Sequence, residues 1–425
     1  MSVSGTTTGL HRHRLDNGLR IVAQRDESLP LVAVNLWYHV GSKNERPGRT
    51  GLAHLFEHML FQGSLHVGTN DHFGYLQQVG GVANGSTWYD RTNYHETVPS
   101  SYLELALWLE SDRLGFLLPA LTSEKLETQR TVVMNERRQR VDNQPYGRAL
   151  EELHRILYPV GHPYSWPVIG TMEDIAAATL DDVRTFFATY YSPNNAVLSL
   201  VGDIDPEEAF TLTARYFEEI PVGRGLPPPP ERSDEAGEGG RLILPDEVEL
   251  SRVYMGWRVP AYGDEDWYSL DVLASAHSDG KTGPLYRDLV YERELAQDVS
   301  AMILPTELEA LFLLVSTARP ETEPERLEEA LLDHLRSAAA ATLPPVLFRS
   351  TRERMATAFL EGQESLDQRA DLLSQHATYF DRPEGALEEL DRYLGVQPDA
   401  VRAAAATHLT ASPATVVVVP RERAA

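Results

Sequence analysis

The chain of 425 residues contains no cysteine, which excludes disulfides and thiolate metal ligands alike. Any metal it binds must be held by imidazole or carboxylate, a donor set suited to zinc in a catalytic His/Glu site. The same absence fits a reducing compartment. No uninterrupted apolar run is long enough to span a bilayer. The start, Met1–Gly9, lacks a basic stretch followed by an apolar one and does not read as a secretory signal. A soluble, cytoplasmic protein with no membrane partner is the expectation. Positive charge is also scarce: 38 Lys and Arg stand against 63 Asp and Glu, for a net charge of −25. That disfavours nucleic acid and anionic membrane surfaces as partners and favours solubility. The 42% hydrophobic share supplies two substantial cores and too much material for one.

Against these absences, His54-Leu55-Phe56-Glu57-His58 is conspicuous. Residues four apart share a helix face, so His54 and His58 can address one metal ion. Glu57 lies close enough to hold a metal-bound water. The H-x-x-E-H order inverts the commoner H-E-x-x-H zinc-protease motif. The stretch Gly51–Phe61 is otherwise apolar, and a buried Glu beside two His without a metal would be costly. A catalytic zinc takes three protein ligands, so a third must come from elsewhere.

The chain divides near its middle. Gly225–Pro230 carries four consecutive prolines and Glu231–Gly240 is acidic and Gly-rich, so residues 225–240 read as a linker between domains 1–224 and 241–425. The domains look like copies. A helix opening at Thr179 and the strand Ala196–Gly202 have counterparts in a helix opening at Gln397 and the strand Thr415–Pro420. Val183 and Val401 then set an offset of 218 residues, a duplicated domain and not a short repeat. Strand-like segments at 19–24 and 32–38 correspond to 241–244 and 251–257. Helical patterns cover 102–118, 123–141 and 326–341. Without strict β-α-β alternation, each half is expected to be α+β, a mostly antiparallel sheet with helices on one face. The offset carries His54–His58 to Val272–Ala276, which lacks the motif. The metal chemistry therefore belongs to one copy.

Three carboxylates on the helix 123–141 are candidates for the third ligand: Glu124, Glu127 and Glu136. Periodicity leaves all three open. Beyond the motif, Gly80–Thr87 with Asp90–Tyr94, Gly161–Tyr164 with Val168–Gly170, and Tyr191–Asn195 with Val201–Asp203 complete a wider pattern. Together these segments resemble the pitrilysin or insulinase family of zinc metallopeptidases, in particular its two-domain, processing-peptidase-like members. The resemblance implies His54, His58 and Glu136 as ligands to one Zn2+ per chain, with Glu57 as the catalytic base. It implies that Ala83, Asn84, Gly85, Ser86 and Thr87 form the edge strand to which an extended peptide substrate adds. It also implies that each chain forms half of a clam-like chamber.

Two departures from the family pattern stand out. Many members carry an acidic residue seven positions before the third ligand, where this chain has Gln129. In the second half, an Arg and a Tyr seven apart grip substrate in active members; here Val290 and Gln297 occupy those positions, with Arg287 and Arg293 nearby. The pattern fits the zinc-bearing chain of a heterodimer whose paralogous partner supplies the Arg/Tyr pair. A homodimeric peptidase and a non-catalytic scaffold subunit are the alternatives. Other histidines read as structural: His11 and His13 as solvated, His66 and His72 in a polar loop, His277 at a turn without a metal-spaced partner. His95, after the expected edge strand, reads as structural too, with a place near the pocket as its alternative.

Overall fold

The computed structural model describes residues 9–421 apart from Arg224, Asp234 and Asp279. Most of the Met1–Gly9 segment therefore lies outside the described residues. Two compact units form. The first takes the chain up to Asn135, then Val168–Pro230 and Leu360–Glu389; the second takes Glu136–Pro167, Glu231–Phe359 and the chain from Leu390 onward.

The first unit is built on six strands: β1 (Leu10–Arg14), β2 (Arg20–Arg25), β3 (Leu31–Tyr38), β4 (Val82–Thr87), β5 (Thr92–Pro99) and β6 (Ala196–Gly202). Their order is β1-β2-β6-β3-β5-β4, with only β2 and β6 parallel. The second unit has β7 (Arg241–Asp246), β8 (Arg252–Val259), β9 (Ala296–Leu304), β10 (Ala310–Ala318) and β11 (Ala414–Pro420). Their order is β7-β11-β8-β10-β9, again with one parallel pair, β7 and β11. Read as β2-β6-β3-β5-β4 against β7-β11-β8-β10-β9, the two sheets have the same topology. The α+β class and the duplication are both evident in it.

Helices on one face only is a description that the first sheet corrects. One face carries the main core, where Leu36, Tyr38, Tyr94 and Leu198 meet helix residues such as Leu55, Phe56, Leu107 and Phe187. The other is covered by the helix Leu366–Tyr379, whose Leu366, Ala370, Leu373 and Ala377 pack on Val22, Ala33, Val197 and Val201. The strands show why: β3 and β6 are buried at nearly every position, the pattern of strands covered on both sides. In the second unit the helix Ala149–Leu157 packs on β8 and β11 in the same way. Each half of the sequence thus sends one helix to the sheet built by the other half.

The acidic linker is docked as well. Arg258 donates to the carbonyl oxygens of Ser233 and Glu235, and Gly239 N–H donates to Ile156 O at 2.7 Å. Composition marked this stretch as unable to form a core, but its backbone still finds partners on the second unit.

Candidate metal centre

The helix Leu52–Leu60 buries Leu52, Ala53, Leu55, Phe56, Met59 and Leu60, leaving His54, Glu57 and His58 half-buried on the remaining face. Its start is fixed by Gly51, at φ +84°, where a Cβ would come within 2.6 Å of Ile169 O. Glu45 accepts from Gly51 N–H at 2.9 Å and Ala53 N–H at 2.7 Å, a carboxyl group at the positive end of the helix. Burial nonetheless pushes the Glu45 carboxyl well above its ordinary range.

The helix Ser123–Arg137 carries Glu136 in its last turn and continues as a π-turn over Arg138–Asp142. Asn135 and Glu136 are successive residues of this helix. Ligand atoms of His54, His58 and Glu136 all lie within 4.8 Å of one another. The imidazoles meet edge-on with centroids 4.8 Å apart, and Glu136 pairs with Arg140 at 2.7 Å. The rivals on the helix point elsewhere: Glu124 and Glu127 are exposed, and Glu127 pairs with Arg130. Gln129 is buried on the same helix.

Among the described residues β4 is the outer strand of its sheet, pairing only with β5, and includes Ala83, Asn84, Gly85, Ser86 and Thr87. At its end the Thr87 hydroxyl donates to Glu57 Oε2 at 2.5 Å. The sequence put Thr87 in the strand without indicating this bond.

These motifs sit inside stretches matched by two family models. The one described as Insulinase (Peptidase family M16) covers residues 20–171, and the one described as Peptidase M16 inactive domain covers residues 177–355. The chain is 32% identical to Zinc protease PqqE of Helicobacter pylori over 329 residues, 76% of this chain and 73% of that protein. The chain belongs to the insulinase family, peptidase family M16. An uncharacterized zinc protease of Mycobacterium leprae, ML0855, is 30% identical over 295 residues, 69% of this chain and 65% of the relative. A crystal structure of a protease from Helicobacter pylori superposes with a TM-score of 0.90 at 26% identity, covering 97% of this chain and 99% of the other. The peptidase M16 inactive domain from Pseudomonas fluorescens shares the fold, with a TM-score of 0.86 at 18% identity and coverage of 97% and 100%.

In this M16 chain the second-half departures have definite surroundings. Val290 is buried in the π-turn Arg287–Glu292, and Gln297 is exposed on β9. Arg287 lies 3.5 Å from Glu292, and Arg293 donates to Asp288 at 2.8 Å. Both nearby arginines are thus engaged by neighbouring carboxylates.

His72 corrects its reading as a loop residue. It sits on the helix Asp71–Gln78, buried, with Nε2 3.2 Å from Glu96 Oε1, and burial lowers its pKa to about 3. Glu96 and Glu110 are fully buried beside it, their carboxyls pushed up chiefly by burial. Arg113 closes this cluster, donating to Glu110 at 2.8 Å and lying 4.1 Å over the Tyr94 ring. The guanidinium thus supplies a cation that faces both buried carboxylates. Alternation along β5 puts Glu96 with Tyr94 on the core face and His95 on the opposite face. His95 accordingly pairs with Asp367 at 2.7 Å, away from the Leu52–Leu60 helix. His277 does have an imidazole partner, His334, at 2.8 Å. His66 lies 2.5 Å from Asp112, while His11 and His13 are exposed on β1. Among the described residues, no helix is long and apolar enough to cross a membrane.

Proposed function

We propose that this chain is a zinc metallopeptidase subunit hydrolysing unfolded or short peptides, with His54, His58 and Glu136 as metal ligands and Glu57 as general base. The observation that carries the reading is the convergence of three ligand atoms within 4.8 Å beside a carboxylate held at the end of an edge strand. Two imidazoles and a carboxylate are a donor set that would hold a catalytic zinc ion. When bound, zinc supplies a water acidified to a pKa of about 7 and a positive charge for the developing oxyanion. Glu57 accepts the proton of the attacking water and returns it to the leaving amine. Ala83–Thr87 offer edge-strand backbone groups to which an extended peptide adds as a further strand.

Zinc analysis together with hydrolysis of an unstructured peptide tests this reading. One zinc per chain is expected in both the wild type and Glu57→Gln, with turnover only in the wild type. A chain that takes up no zinc, or a Glu57→Gln variant of full activity, overturns it.

The same proposal extends to a partner chain. Val290 cannot donate to an oxyanion, and the arginines beside it are engaged by Glu292 and Asp288. A paralogue of similar length that lacks H-x-x-E-H and carries the Arg and Tyr would complete the site, the two chains enclosing a common chamber. Weak turnover alone and full turnover on mixing are expected. Strong turnover by the isolated chain would instead support the homodimeric reading.

A further inference from the structure

The end of β4 is locked from both faces of its sheet. Successive strand residues point to opposite faces, so Gly85 and Thr87 share one and Ser86 takes the other. On the first face a Cβ at Gly85 would stand 3.1 Å from Phe61 and 3.2 Å from Tyr94, and the Thr87 hydroxyl reaches Glu57 at 2.5 Å. On the second face Arg91 Nη1 donates to Ser86 O at 2.8 Å and to Ser86 Oγ at 2.5 Å. Ser86 Oγ donates in turn to Asn93 Oδ1 at 2.7 Å.

Asn93 Nδ2 donates to Asp371 Oδ1 at 3.1 Å, on the helix Leu366–Tyr379. The same oxygen accepts from Trp37 Nε1 at 2.8 Å and Asn35 Nδ2 at 3.2 Å. Three donors converging on one carboxylate oxygen make a strong, charge-assisted anchor. Asp371 lies beyond both stretches matched by the family models, which end at residue 355. In the second unit the corresponding helix places Leu153 over Gly256, where a Cβ would stand 3.1 Å from Leu153 Cδ2.

We propose that Thr87 is a positioning residue for Glu57, and that Asp371 holds Thr87 in place through Asn93 and Ser86. The inference rests on the reading of Glu57 as general base. A hydroxyl on one carboxylate oxygen of Glu57 restricts the rotation of that carboxylate and so sets the direction in which it meets the attacking water. Because the hydroxyl belongs to the strand that receives the peptide, the register of the strand and the aim of the base are set together. Misplacement of a catalytic group by about 1 Å costs on the order of a hundredfold in rate.

The test combines kinetics with a measurement that needs neither metal nor turnover. With the wild-type chain and whatever partner activates it, Thr87→Val is expected to lower kcat by about tenfold to a hundredfold. KM should stay within about twofold and zinc content should be unchanged, because Val keeps the strand and both ligand helices. Thr87→Ser should recover most of the rate. Asp371→Asn should lower kcat in the same direction by a smaller factor. In the metal-free chain, thermal melting of Thr87→Val, Glu57→Ala and the double variant should be non-additive, the second substitution adding little to the first. Additive melting shifts, unaltered kcat in Thr87→Val, or a Ser variant no better than Val would each overturn the proposal. If the wild type never hydrolyses peptides, the peptidase reading fails, while the melting cycle still decides whether Thr87 and Glu57 are coupled.

Discussion

The two sheets share a strand order, yet only one unit carries the H-x-x-E-H motif, and the difference lies in the helix that comes after β3 in one copy and after β8 in the other. After β3 comes the helix Leu52–Leu60, apolar except at His54, Glu57 and His58. After β8 comes the helix Glu265–His277, where Trp267, Leu270, Val272, Leu273, Ala274 and Ala276 are all buried. The offset of 218 residues sets Val272, Ser275 and Ala276 against the motif. One copy leaves a polar face on its helix, and the other buries the helix on nearly every side. A fold assembled twice from the same connections can keep its architecture in both copies and its reactive groups in one.

The comparison breaks most sharply at Glu57. Glu57→Gln is expected to cost about a thousandfold or more in turnover with zinc retained, as measured by peptide hydrolysis beside metal analysis. A similar loss on altering Ser275 would mean that the second copy also takes part in the chemistry. The reverse experiment rebuilds the family's pair in the second copy. Val290→Arg with Gln297→Tyr is expected to raise turnover of the isolated chain by about tenfold or more. Val290 is buried, so a lower melting temperature should accompany the gain.

A pH series separates the units at smaller amplitude. Burial is the largest influence on His95 and opposes its charge, but the hydrogen bond and charge of Asp367 and the charge of Asp371 outweigh it and raise the pKa. Arg91 also faces the ring and pulls the other way. With the folded value above the ordinary one, the stability His95 contributes is complete below about pH 6.5 and fades as pH rises through the raised value. Burial lowers His72 in the first unit to about 3, and His154 and His277 in the second to about 4 and about 3. Their contribution runs the other way: it is present above about pH 6.5 and lost as pH falls toward those values. Amide protection, with the intrinsic pH dependence of exchange divided out, should therefore fall on acidification in both β5 and β9, the strand on which the His277 helix packs, and on the alkaline side only in β5. Equal alkaline changes in both strands would remove this distinction. The smallest effect belongs to Arg140, which holds Glu136 at 2.7 Å from a largely exposed position. Arg140→Ala should tighten zinc binding by no more than a few-fold in a competition titration, since exposed pairs contribute little.

Much of the first unit could be read from local sequence. The motif helix, the strands β2, β3 and β6 and the long helices lie where their apolar periods put them, because such periods are properties of neighbouring residues. His72 was misplaced because a short polar-looking segment around Gly68 and Asn70 hides a helix whose buried partners, Glu96 and Glu110, are distant in sequence. Asp371 gave no local signal, since the residues it anchors stand 278 to 336 positions away. The exchange of the helices Ala149–Leu157 and Leu366–Tyr379 was hidden for the same reason. An amphipathic period shows that a helix has a face to bury, not which sheet will bury it.

By itself the sequence determined the motif, its placement on one helix face, the duplication and the restriction of H-x-x-E-H to the first copy. Spacing of a few residues fixes those relations before any long-range contact forms. Only the tertiary structure decided that Glu136 approaches the two imidazoles while Glu127 turns to Arg130. It alone set Thr87 on Glu57 and tied the strand's far face to Asp371. Those relations join segments tens to hundreds of residues apart, and it is the packing of strands and helices on the first sheet that determines them.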